Sequence, residues 1–196
     1  MASSTVQRSN PAWNLPNILT YGRVLAVPVV AGCLMASSSF SVRWVALAIF
    51  ILAGISDFFD GYLARAWQQQ SSLGRMLDPI ADKLLVAASL LVLVNDRSIT
   101  GWSLWAAIVI LCREILVSGL REFLAELNVS VPVTKVAKYK TTLQLVAVGF
   151  LIAGPAGEAV LPGTLTIGLT LLWVSALLTF YTGWDYLRAG IKHVVE

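Results

Sequence analysis

Long apolar runs alternate with short polar breaks along almost the whole chain. The first run reads from about Ile18 to Met35 and ends at Ser37-Ser38-Ser39. The second extends from about Val42 to Trp67 and is closed by polar residues 68–72. The third, about Leu73 to Val94, stops at a polar turn over 95–101. The fourth begins near Trp102 and reaches about Leu127, ending in charge from Arg113-Glu114 to Arg121-Glu122 and Glu126. A basic loop with Lys135, Lys138 and Lys140 leads into a fifth run, about Thr141 to Ala153, which Gly154-Pro155-Ala156-Gly157 breaks. The sixth covers about Leu165 to Tyr186 and gives way to a polar tail with Arg188 and Lys192. About 20 apolar residues in a helix cross the hydrocarbon of a bilayer. The pattern therefore predicts an all-α, polytopic membrane protein of six transmembrane helices, whose short connections leave neighbours antiparallel. Asn17 or Thr20 can cap the first helix, because a side-chain oxygen accepts from the orphan N–H groups of a first turn.

Composition narrows this further. The 196 residues are 57% hydrophobic and 13% charged, where a soluble domain carries about 25% charged residues. A soluble globular domain is excluded, and six spans leave no room for a separate one. The expected division is a polar segment over 1–13 and one six-helix domain over 14–196. The Ser-rich start lacks the apolar core and small-residue cleavage site of a signal peptide, so the first run is expected to stay as an anchor. Cys33 and Cys112 sit in apolar runs without ligand spacing and read as buried thiols. His193 reads as solvated, and the tryptophans mostly as interfacial anchors.

The net charge is only +3, but its distribution is uneven. Six crossings put both termini and the 67–72 and 128–140 loops on one side. That side collects Arg8, Arg23, Arg65, Arg75, Lys83, Arg121, Lys135, Lys138, Lys140, Arg188 and Lys192; the other has Arg43 and Arg97. Excess Lys and Arg mark the cytoplasm, so both termini are expected there. So are the ends of helices two and three, and the Arg-rich end of helix four.

Those ends carry the conspicuous chemistry. Asp57, Asp60, Asp78 and Asp82 fall close together in a chain with 11 acidic residues, and ionisable groups at membrane depth are costly enough to suggest function. At about 100° per residue, Asp57 and Asp60 project about 60° apart and Asp78 and Asp82 about 40° apart. Two antiparallel helices can aim all four at one point. Hard oxygen donors suit Mg²⁺ or Mn²⁺, and four carboxylates can support two ions of the kind that stabilise phosphoryl displacement. Gly61 and Ala64 lie within about 40° of the Asp57 direction. They leave that face bare for a flat or extended ligand, although small residues also serve plain helix packing. Arg65 at its edge can meet a phosphate with a fixed fork of donors, and Gly74 allows close backbone approach. On helix four, Glu114, Ser118 and Arg121 share a face, with Arg113 about 80° from Arg121. Arg113, Arg121, Lys138 and Lys140 facing an acidic cluster suggest a phosphorylated acceptor; the alternative is binding of anionic lipid heads.

The stretch Asp57-x2-Asp60-Gly61-x2-Ala64-Arg65-x8-Gly74-x3-Asp78-x3-Asp82 resembles, without a departure, the signature of the CDP-alcohol phosphotransferases, six-helix membrane enzymes that are usually dimeric. Asn17-x2-Thr20-x2-Arg23, the block Arg113-Glu114…Ser118-x2-Arg121-Glu122 and Lys138-x-Lys140-Thr141 look like the bacterial branch whose acceptor is glycerol 3-phosphate. The likeness runs from about Asn14 to the last helix and leaves out residues 1–12. It implies transfer of the phosphatidyl group of CDP-diacylglycerol to glycerol 3-phosphate in a bacterial inner membrane, by a homodimer that needs Mg²⁺ or Mn²⁺. By the same resemblance Asp57, Asp60 and Asp78 hold the metals, and Asp82 is the general base and a further metal ligand. Asn17, Thr20, Gly61, Ala64, Arg65 and Ser71 surround CDP-diacylglycerol, and Arg113, Arg121, Lys138 and Lys140 hold the acceptor phosphate. Within the family, serine, inositol phosphate or a phospholipid headgroup are alternative acceptors. A membrane prenyltransferase needs a second Asp-rich motif, and the second half has only Asp185. A cation-coupled transporter needs repeat symmetry and broken helices near the midplane, and no repeat is present. Nothing in the chain points to nucleic acid.

Overall fold

In a computed structural model of the chain, residues 15–36, 39–66, 72–127, 129 and 135–195 are described. Within these, side chains are described except at 15, 16, 58–66, 72, 73, 75, 135–138, 185 and 189–195. The described residues form six α-helices and no strand: α1 (Leu15–Met35), α2 (Phe40–Ala66), α3 (Ser72–Asn95), α4 (Ser103–Glu126), α5 (Lys135–Glu158) and α6 (Thr164–Val195). Two helices exceed the runs that predict them. The fifth begins at Lys135, because lysine is a good helix former and need not end a helix on leaving the apolar phase. It also passes through the expected break as a kink: Gly154 takes φ 44° and ψ −126°, a conformation open to glycine. Pro155 then removes the N–H that would have continued the ladder. For the same reason of propensity α6 continues through the polar tail to Val195.

Among the described residues, four helices are long and apolar enough to cross a membrane, over Asn17–Met35, Phe40–Asp57, Ser103–Glu126 and Thr164–Arg188. The outward faces match: Leu25, Leu52, Leu91, Ile115, Leu177 and Phe180 are all exposed, a spread of apolar surface that suits lipid. The remaining pair, α3 and α5, is of the same 24-residue length as α4, about 36 Å at helical rise. They are less apolar because they carry Asp78, Asp82, Lys83, Lys140 and Gln144.

Packing explains where those polar groups can reside. The first helix packs on both α2 and α3, α5 packs on α2, α3 and α6, and α6 also packs on α4. The apolar core takes Val30 and Leu34 from α1, Ala46 and Phe50 from α2, and Leu90 and Leu93 from α3. Ala106 and Ile110 of α4, Leu151 and Ile152 of α5 and Leu172 of α6 complete it. These are the late residues of the odd-numbered helices and the early ones of α2 and α4. The core therefore fills one end of the bundle and leaves the opposite end for polar side chains.

Beyond the core, the α5–α6 turn is closed by Glu158. Its carboxylate accepts from the Gly163 N–H at 2.7 Å and the Leu165 N–H at 2.8 Å, covering orphan donors at the start of α6. These two bonds hold the Glu158 carboxyl below the usual glutamate range, because they favour the charged form. A group with a depressed folded pKa stabilises above its unfolded value and loses that contribution as the pH falls through its folded value. The thermal midpoint of Glu158→Gln in detergent should therefore lie below that of the parent at pH 7. The gap should close as the pH drops below the ordinary glutamate range; a gap that is constant with pH would remove the charge from this account.

Candidate active site

An open cavity of about 1360 Å³ begins at the polar end of the bundle. Its acidic wall is Asp57 of α2 with Asp78 and Asp82 of α3. Its basic wall is Arg113 and Arg121 of α4 with Lys140 of α5; Glu114 and Ser118 lie between them. From there the cavity continues between α2 and α5 along Leu47, Ile51, Gly54, Leu145, Val146, Gly149 and Phe150. One continuous space thus has a charged head and an apolar trench. Helical spacing places the head: Asp78 and Asp82 are one turn apart on α3, and residues 114, 118 and 121 follow one face of α4.

The two acidic helices do not meet unaided. The first helix lies against both and fixes an aspartate on each. Thr20 Oγ1 donates to Asp78 Oδ1 at 2.6 Å, and Arg23 Nη1 forms an ion pair with Asp57 Oδ1. A spacing of three puts Thr20 and Arg23 on one helix face. Thr20 and Arg23 are 1% exposed and Asn17 is 2% exposed. Thr20, expected beside the nucleotide, directs its hydroxyl at an acidic-wall side chain. Arg23, counted from sequence among the charges that mark the cytoplasmic face, is a buried partner of Asp57. The signal for it was present, since Asn17, Thr20 and Arg23 form a polar stripe at three-residue spacing in an otherwise apolar helix.

Glu114 organises the basic wall. It forms an ion pair with Lys140 Nζ and accepts from Arg113 Nη1 at 3.2 Å. Two cations from different helices are drawn to one carboxylate, and Lys140 is 3% exposed. A buried cation needs such a partner. Arg113 Nη2 also donates to Thr182 Oγ1 of α6 at 3.3 Å. The Arg121 guanidinium stands 5.9 Å from the ring centroid of Tyr186, also on α6.

Several expected site residues fall outside what is described. Asp60, Gly61, Ala64 and Arg65 lie on the last turns of α2 with side chains outside the described residues; Lys138 has the same standing on α5. Ser71 lies outside the described residues altogether. Asp57, Asp78 and Asp82 offer hard oxygen donors to one cavity, and that donor set fits a divalent cation such as Mg²⁺ or Mn²⁺. Among the described residues, which do not include the Asp60 side chain, no three acidic, His or Cys side chains close to ligating separation.

Comparison with known proteins decides the family. The family model for CDP-alcohol phosphatidyltransferase matches residues 13–181. This chain belongs to that family. Among its relatives is a CDP-diacylglycerol–glycerol-3-phosphate 3-phosphatidyltransferase of Cereibacter sphaeroides, 40% identical, covering 94% of this chain and 98% of the relative. The Rickettsia felis protein of the same name is 43% identical over 92% of this chain and 97% of its own. That of Pectobacterium atrosepticum is 37% identical, over 94% and 98%. For a CDP-alcohol phosphatidyltransferase the cavity has a direct reading. Its acidic wall, basic wall and apolar trench all lie on helices within the matched region.

Proposed function

We propose that the protein transfers the phosphatidyl group of CDP-diacylglycerol to glycerol 3-phosphate, giving phosphatidylglycerophosphate and CMP. The observation that supports this best is the make-up of the large cavity: carboxylates and Arg and Lys line its head, with an apolar trench running from it. The trench suits the lipid end of the donor. The acidic wall suits a diphosphate accompanied by cations. The basic wall suits an anionic acceptor, which favours glycerol 3-phosphate over serine.

In this reading Arg113, Arg121, Lys138 and Lys140 bind the acceptor phosphate and turn the primary hydroxyl toward α3. Asn17, Thr20, Gly61, Ala64, Arg65 and Ser71 frame the nucleotide. Asp82 takes the proton of the hydroxyl, whose oxygen forms a bond to the lipid-side phosphorus as the bond from that phosphorus to CMP breaks. A carboxylate is a weak base toward an alcohol, so contact during attack is what makes Asp82 effective. Mg²⁺ or Mn²⁺, as two ions held by Asp57, Asp60, Asp78 and Asp82, would neutralise the diphosphate and the charge left on CMP. Arg23 and Thr20 orient Asp57 and Asp78 and restrict their motion. The same proposal places six spans in a bacterial inner membrane, with both termini and the site on the cytoplasmic side and two copies as a homodimer.

The test is CMP release by purified protein with CDP-diacylglycerol and Mg²⁺, offering labelled glycerol 3-phosphate, serine and inositol phosphate in parallel. Release should follow glycerol 3-phosphate and stop in excess chelator. Release with another acceptor would overturn the acceptor, and full turnover in chelator would overturn the metal requirement.

A further inference from the structure

The cytoplasmic third of α6 lies outside every motif that carries the family resemblance, yet it touches both arginines of the basic wall. Thr182 and Tyr186 are four apart on one helix face. The Thr182 hydroxyl donates to the Leu178 carbonyl at 2.9 Å, so its lone pairs are left to accept, and Arg113 Nη2 donates to them at 3.3 Å. Gly183 faces the stem of the same side chain. A Cβ at this position would stand 2.8 Å from Arg113 Cγ and 3.2 Å from Nε. The Cγ is near the root of the arginine, so the whole side chain would need another path. Arg113 Nε itself is buried and has no hydrogen-bond partner among the described residues. Shape at Gly183 and the Thr182 hydroxyl therefore set, together with Glu114, where the guanidinium lies. One turn further on, the Tyr186 ring meets Arg121 at 5.9 Å, within the range of a cation–π contact.

We infer that Thr182, Gly183 and Tyr186 are positioning residues for the acceptor phosphate, holding Arg113 and Arg121 as one pair. This inference rests on the function proposed above, but its core is that α6 prepares a phosphate site. The residues act through the arginines and touch no reacting atom. Arginine donors placed in advance lose less freedom on binding an anion. The effect should therefore appear in affinity for the acceptor and leave the donor untouched.

The experiment compares the parent protein with Gly183→Ala, Tyr186→Leu and Tyr186→Phe in steady-state turnover, and measures binding of inorganic phosphate by calorimetry. Gly183→Ala should raise KM for glycerol 3-phosphate about tenfold, the scale of one lost bond to a charged group. Tyr186→Leu should raise it about threefold, and Tyr186→Phe should restore it, because the ring face is kept. The KM for CDP-diacylglycerol should stay within about twofold in all three, and this also reports correct folding. Phosphate affinity should fall in the same order. If Gly183→Ala does not fold, the Leu and Phe variants at position 186 carry the comparison. Equal KM values for the acceptor across the set, or equal losses for donor and acceptor, would overturn the inference. If the parent releases no CMP with glycerol 3-phosphate, the proposed function fails. Phosphate binding then decides the α6 inference alone: loss in the variants sustains it, and unchanged or absent binding ends it.

Discussion

Asp82→Asn should lower turnover by about a thousandfold, within the range assigned to a positioned acid or base, while binding of CDP-diacylglycerol changes little. Asparagine preserves size and shape but cannot accept the proton of the attacking hydroxyl. The position suits the role. Asp82 lies one turn beyond Asp78 on α3 and lines the main cavity opposite the basic wall. It also borders a side cavity of about 50 Å³ with Glu114 and Gln144. Of the three aspartates that line the main cavity, it alone also borders this side cavity. Because Asp82 is also an expected metal ligand, the assay should be repeated across a wide range of Mg²⁺ concentration. A lost base leaves turnover low at saturating metal. Recovery of full turnover at high Mg²⁺ would reassign Asp82 to metal binding alone, and turnover within tenfold of the parent at ordinary Mg²⁺ would remove both roles.

The helices were legible because apolar runs of bilayer length have few other outcomes. The charged ends of those helices were legible because helical spacing converts sequence distance into direction. Asp57, Asp78 and Asp82 do line one cavity with Arg113, Arg121 and Lys140. Spacing along one helix, however, says nothing of what stands across from it. Arg23 shows the cost. Counting positive charges by side of the membrane treats every arginine as a surface marker, and the structure instead pairs this one with Asp57 inside the bundle. Glu114 was placed on the right face but without its partners, because Lys140 reaches it from another helix. Thr182, Gly183 and Tyr186 carried no signal of their own. A hydroxyl, a glycine and an aromatic ring are ordinary in a membrane helix, and only the packing of α6 on α4 gives them a task. The fifth helix was shortened at both ends: Lys135 leaves the apolar phase yet is a good helix former, and Gly154-Pro155 looks like a terminator yet is passed as a kink.

Arg43→Ala should destabilise the folded bundle by about 3–5 kcal/mol, the usual cost of removing one partner of a buried ion pair, measured by unfolding in a denaturing detergent series. Arg43 is another basic residue that the charge count placed at a surface, and it too is buried, at 6% exposure. It forms an ion pair with Asp96, whose second oxygen accepts from the Ser98 N–H at 2.9 Å. Its Nη1 also reaches the Ile152 carbonyl at 3.5 Å, an acceptor next to the kink at Gly154. A Cβ at Gly154 would collide with that same Nη1. One guanidinium thus joins the start of α2, the end of α3 and the bend of α5, and it does so at the end of the bundle opposite the charged head of the cavity. Asp96→Leu should cost a similar amount, since it strands the arginine. The double variant Arg43→Met with Asp96→Leu should cost much less than the two single changes summed, because no buried charge is left without its partner. Single losses below about 1 kcal/mol would mean that the pair is as weak as an exposed one, and strict additivity would mean that the two residues act separately. The KM for glycerol 3-phosphate in the folded fraction of each variant should match the parent, since the clamp shapes the kink and the core and shares no contact with either charged wall.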